Sequence, residues 1–144
     1  MYKEKIAAFY PVRIDRSDEH LVYYTAPRFP SDIRMILNAT LFNLVPDKGY
    51  LLKYKFFDYS ETLFYHFDVH YKLLSETITE DQRFGDYASA IQQLATPFIR
   101  IIETARQFRI VMELWDLDET QDKETVKLDD AVCYTAVRQE EHNE

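Results

Sequence analysis

Glycine is scarce, with 2 in 144 residues, and that excludes the glycine-rich loops that cradle phosphates in nucleotide-binding folds. Cysteine is reduced to Cys133, so there is no disulfide framework and no thiolate metal cluster. Cys133 itself sits in an acidic stretch and reads as a small core residue. No apolar run reaches the roughly 20 residues of a membrane-spanning helix. The first ten residues carry lysines but no apolar stretch long enough for a signal peptide, so a cytoplasmic protein with no membrane insertion is expected. GxSxG, HExxH, P-loop and dinucleotide fingerprints are all missing. No catalytic residue, metal or cofactor is therefore assigned, and the chain reads as a non-enzyme.

Apolar side chains make up 47% of the sequence and aromatics 15%, which argues for a folded domain rather than disorder. The net charge is −8, and its location matters more than its size. Residues 1–112 hold 14 acids and 14 bases, whereas 113–144 hold 11 acids against Lys123, Lys127 and Arg138. That imbalance disfavours direct nucleic-acid binding and suits a basic partner, or simply a solvated tail that aids solubility. The expected division is one domain over 1–117 and an acidic segment over 118–144, partly strand or helix, with a frayed end.

The stretch 49–75 organises the chain. Leu63, Tyr65, Phe67, Val69, Tyr71 and Leu73 alternate with His66, Asp68, His70 and Lys72, the signature of a strand with one buried face. Tyr50, Leu52, Tyr54 and Phe56 alternate with Lys53 and Lys55 before a turn at 58–61. With Phe57 opposite Thr62, Phe56 meets Leu63, Tyr54 meets Tyr65 and Leu52 meets Phe67, all on one face. Upstream, Met35, Leu37, Ala39, Leu41 and Val45 share a face, and Pro46-Asp47-Lys48-Gly49 has turn chemistry. Pairing Val45 with Tyr50 yields a three-stranded antiparallel meander.

Tyr87, Ile91, Leu94, Phe98, Ile101, Ala105 and Phe108 recur at intervals of three and four, the spacing of an amphipathic helix. Pro97 kinks that helix, or Thr96 caps a second one. Laid on the meander, it gives a two-layer α+β domain. The stretch 110–117 reads as a further strand.

Two clusters stand out as candidate sites. Phe42, Leu44, Leu51, Phe57 and Phe64 fall on the second face of the meander, where a solvated face needs no such residues, and Trp115 is a candidate to join them. They suggest an oligomer contact or a partner-binding surface, unless neighbouring strands or loops cover them. Asp116, Asp118, Glu119, Asp122 and Glu124 form the candidate acidic partner surface. His66, Asp68 and His70 share a strand face at intervals of about 6.8 Å; a metal site there needs a further ligand from elsewhere, and an exposed polar face with Asp68 near Lys53 is the simpler reading.

The order of elements resembles the SecB-like chaperone family. Tyr23-Tyr24-Thr25-Ala26-Pro27-Arg28-Phe29-Pro30 is similar to that family's exit from its first strand. Glu61-Thr62-Leu63-Phe64 is similar to the opening of its long fourth strand. Ala95-Thr96-Pro97-Phe98-Ile99-Arg100 is similar to the proline-marked start of its main helix. The resemblance implies an antiparallel sheet with a packed helix and an oligomeric, ATP-independent holdase that catches unfolded protein on an apolar sheet surface. The alternative is a small phage or mobile-element inhibitor that binds a host enzyme through an acidic, nucleic-acid-mimicking surface. A small enzyme with an aromatic pocket using Asp68 or His66 ranks third. In either leading reading the partner is a protein, and the chain is expected to be a homo-oligomer.

Overall fold

The computed structural model describes residues 2–13, 19–21 and 23–140. The expected frayed end at 141–144 lies outside the described residues. Eleven strands account for most of the rest: β1 (Lys5–Val12), β2 (Tyr23–Ala26), β3 (Ser31–Ile33), β4 (Ile36–Leu44), β5 (Gly49–Asp58), β6 (Leu63–Lys72), β7 (Arg83–Phe84), β8 (Tyr87–Ala95), β9 (Ile99–Ile101), β10 (Gln107–Asp118) and β11 (Lys123–Gln139). The helical content among the described residues is three 3₁₀ turns of three residues each.

The α+β expectation is therefore wrong, because the stretch expected to be a long helix is β8, β9, a 3₁₀ turn and the start of β10. Its three-and-four spacing arose by chance from two faces of different strands. Within β8 the inward residues are Ala88, Ala90, Gln92 and Leu94, a period of two, while Ile91 projects outward and is 72% exposed. Alanine and glutamine are good helix formers, but the propensity is worth little per residue, and pairing with β4 overrides it. The SecB-like order of elements loses its helix with this correction.

Two curled sheets face each other. One has the order β1-β4-β8-β7 and is antiparallel throughout. The other has the order β2-β11-β10-β5-β6, antiparallel except where β2 lies parallel to β11. β3 and β9 form a separate antiparallel pair. The acidic stretch after Leu117 is thus a 17-residue strand inside the larger sheet.

The expected meander is also corrected. β4 does not pair with β5; after Pro46 the chain crosses to the other sheet, and the two apolar faces meet across the core instead of lying side by side. Asn43 and Asp47, both at positive φ, bend the corner. The β5–β6 hairpin forms as expected, but two residues out of the expected register: Phe56 faces Tyr65, Tyr54 faces Phe67 and Leu52 faces Val69. One residue comes from a tighter turn, closed by Asp58 N–H donating to the Thr62 carbonyl at 3.0 Å. The other comes from a bulge between Phe56 and Phe57. Because the two single steps add to an even number, Tyr65, Phe67, Val69, Tyr71 and Leu73 still point inward, whereas Leu63, beyond the bulge, lies opposite Phe57 and is exposed.

The core is filled by Leu37, Ala39 and Leu41 of β4, Leu52, Tyr54 and Phe56 of β5, and Ile110, Met112 and Leu114 of β10. Phe56 is its aromatic centre, with the rings of Phe64, Tyr65, Phe67 and Phe108 all about 6 Å away between centroids. Buried polar groups pin the ends of the sheets. The Tyr24 hydroxyl donates to the Val12 carbonyl at 2.9 Å and accepts from Ile36 N–H at 3.3 Å. Thr96, expected to cap a helix, is instead fully buried between β8 and the entry to β4. Its N–H donates to the Met35 carbonyl at 2.8 Å, and its Oγ1 accepts from Met35 N–H at 3.0 Å.

Two predictions follow from these buried groups. Thr96→Val keeps the shape but strands the Met35 N–H, so urea unfolding should show a loss of about 1–3 kcal/mol, with Thr96→Ser close to wild type. Burial raises the Tyr24 hydroxyl from 10.0 to about 12 and raises Tyr50, Tyr54 and Tyr71 in the same direction. The stability held in these neutral phenols is complete below the ordinary tyrosine value of about 10 and is lost as pH climbs through the raised ones. Tyrosinate absorbance should therefore show these four of the 11 tyrosines ionising late, together with unfolding.

Candidate functional site

The six residues expected to form one apolar surface do not share a face. Leu44 and Leu51 are buried, at 0% and 5% exposure, and Phe42 is exposed on the outer side of β4 in the smaller sheet. The β6 bulge turns Phe64 onto Phe56 and Phe108, so it belongs to the core margin. Phe57 and Trp115 do lie on the outer face of the larger sheet, each beneath a cation. The Arg109 guanidinium is 4.5 Å from the Phe57 ring centre, and the Lys53 ammonium is 5.2 Å from that of Trp115. Trp115 Nε1 also donates to Glu113 at 3.0 Å.

The acidic set is brought together near the β10–β11 turn, but its charges are answered within the chain. Asp116 pairs with Lys48 at 3.3 Å, Glu119 with Lys72 at 2.7 Å and Glu124 with Lys53 at 2.6 Å. Asp122 meets His70 at 2.7 Å. Asp118 accepts from Thr120 N–H and hydroxyl, at 3.0 and 2.6 Å, and so holds the turn. His70 is thus engaged with a carboxylate opposite it, and among the described residues no three His, Cys, Asp or Glu side chains cluster as a metal set would.

The structure forms a concave aromatic site, a cleft of about 370 Å³ at the end of the larger sheet's outer face. Its walls are Tyr59 in the β5–β6 turn, Arg109 on β10, Tyr134 on β11 and Tyr23 on β2. The concavity exists because Ala136, between Tyr23 and Gln107 in the strand register, carries only a methyl group. The three tyrosines are 49–70% exposed although they sit on ordered strands or a tight turn. Arg109 is held in place by stacking on Phe57 and by two N–H donations to Glu61, at 3.2 and 2.5 Å. Arg138 lies over the Tyr23 ring at 5.5 Å.

The turn that presents Tyr59 and Glu61 is rigid for a local reason. Asp58 Oδ1 accepts from Ser60 N–H at 2.9 Å and from Thr62 N–H at 3.0 Å, and Glu61 N–H donates to the Asp58 carbonyl at 2.9 Å. This cleft is not legible in the sequence because its members lie far apart in the chain. The only local signal was the Asp-Tyr-Ser-Glu turn.

No protein-family model matches the chain, and a search of curated proteins finds no relative. No helix of the described chain is long and apolar enough to cross a membrane. The fold and the cleft define an all-β, two-sheet domain with an exposed aromatic cleft.

The acidic pairs make a prediction about pH. Hydrogen bonding from Lys53 holds the Glu124 carboxyl below 4.5, and donation by Thr120 and Ser75 likewise lowers Asp118 and Asp47. A lowered carboxylate contributes stability above its ordinary pKa of about 4 and loses it as pH falls through the folded value. The urea midpoint should therefore drop on acidification below about pH 4.5, and Lys53→Met should flatten part of that drop.

Proposed function

We propose that this chain is a non-enzymatic, cytoplasmic protein-binding module that recognises an apolar or aromatic side chain of its partner in the Tyr23–Tyr59–Arg109–Tyr134 cleft. The observation that carries the reading is the presence of exposed tyrosines and a pre-positioned arginine around a concavity on rigid elements. Tyrosine and arginine dominate binding hot spots because each contributes large contact area at low entropic cost. Arg109 is already stacked and paired, so little ordering is left to do on binding. This keeps the partner-binding role expected from the sequence and moves it to different residues. The internal pairing of the acidic set favours it over phosphate mimicry, since carboxylates already bound to lysines present a muted field to a basic partner.

Selection from a displayed random-peptide library against the purified chain tests the reading. Enriched peptides should carry a central aromatic or large aliphatic residue. Tyr134→Ala and Ala136→Leu, which respectively remove a wall and fill the concavity, should each weaken them about tenfold or more. Phe84→Ala, on exposed β7 away from the cleft, should change nothing. Peptides that bind the Tyr134 and Ala136 variants as tightly as wild type would overturn the reading.

A further inference from the structure

β6 ends the larger sheet. It is ten residues long and lacks proline, and among the described residues no strand pairs with its outer side. Natural edge strands are usually shortened, broken by proline or heavily charged, because a free row of N–H and C=O groups templates further pairing. β6 has one bulge near its start and a lysine only at its end. Its inward residues Tyr65, Phe67, Val69 and Tyr71 remain half-exposed, since this side of the sandwich is not closed over them.

The sequence of β6 says what fits there. Two copies of one antiparallel edge strand can meet only about a two-fold axis perpendicular to the sheet, so the axis passes through a single residue position. Centred on Asp68, the pairing sets Asp68 against Asp68 and His66 against His70. Centred on Val69, it matches Asp68 with His70, which Asp122 already engages, and opposes His66 to Lys72. Centred on Phe67, every opposition is favourable or neutral. His66 faces Asp68 of the second copy twice over, Tyr65 faces Val69, and Phe67 meets its own copy on the axis. An imidazole N–H can donate to that carboxylate in either protonation state. This register pairs the regular stretch 65–69 of both copies, short of the bulge at Phe64.

We infer that β6 is a self-association edge through which two copies of this chain join their five-stranded sheets into one ten-stranded sheet centred on Phe67. The edge lies outside the tyrosine–arginine cleft, so the dimer stands or falls independently of the binding role proposed above.

Sedimentation velocity at micromolar concentration tests the inference. The wild-type chain should sediment at about twice its 17.3 kDa mass. His66→Glu sets two carboxylates against the two Asp68 side chains, and dissociation should rise roughly tenfold. Within one chain the same substitution faces Lys55 on β5, which favours the fold, so a weakened dimer reports the contact between copies. Phe67→Cys places two thiols across the axis, where directly opposed Cα atoms stand about 4.5–5.5 Å apart. Mild oxidation should cross-link it, and should leave Ile91→Cys on the β8 edge uncoupled. Phe67 stacks on Tyr54, so if that variant fails to fold, the His66→Glu measurement decides alone. A monomer, a dimer unaffected by His66→Glu, or a folded Phe67→Cys dimer that does not cross-link would overturn the inference.

Discussion

Everything in this molecule depends on the burial of aromatic rings against the inner face of β5. Tyr54 lies between Phe9 of the smaller sheet, at 6.1 Å, and Phe67 of β6, at 5.0 Å. Phe56 gathers rings from β6 and β10. Neither sheet could cover such rings alone, since a sheet buries one face only against a second layer. The two sheets are drawn together where β1 and β11 meet, with Ile6 N–H donating to Asp129 at 2.8 Å, and the same contact ties the acidic last strand into the fold. With so little glycine, the bends fall to polar residues at positive φ, namely Asn43, Asp47, Glu61 and Asp122. Two of these sit beside features discussed above: Glu61 grips Arg109, and Asp122 meets His70.

The outer face of the larger sheet follows a different rule. Its cations do not stand free: Lys53 and Arg109 each cover an aromatic ring and bind a carboxylate at the same time. Their aliphatic stems shield apolar surface while the charged ends stay paired. This arrangement explains how Phe57 and Trp115 can occupy an exposed sheet face without forming a sticky patch. It also leaves the cleft, where Tyr59 and Tyr134 are well exposed and Arg138 covers Tyr23, as an aromatic opening on that face. The edge of β6 is the other unguarded feature, and it differs in kind, since it offers backbone hydrogen bonds rather than a pocket.

Local alternation made β4, β5 and β6 legible as strands and identified their inward residues, because a period of two is written in consecutive side chains. It even survived an error of register, since the tight turn and the bulge shifted the pairing by two residues together. The same reasoning failed over 87–108. There a spacing of three and four ran across β8, β9 and β10, and short-range periodicity cannot tell one helix face from parts of several strands. Thr96 illustrates the cost of that misreading. A threonine before proline suits a helix cap, yet its partner is Met35, 61 positions away.

The sequence by itself determined that the chain is aromatic-rich, nearly without glycine or cysteine, acidic toward its end, and built on a β5–β6 hairpin with one apolar side. Those properties reside in composition and in neighbours along the chain. The packing of the two sheets decided that the chain crosses to a second sheet after β4, that the acidic end becomes a strand between β2 and β10 with carboxylates nearby paired to lysines, and that Tyr23, Tyr59, Arg109 and Tyr134 meet around Ala136. Each of these depends on which strands lie side by side. That choice is made by the fit of whole faces across the core, and no single segment carries it.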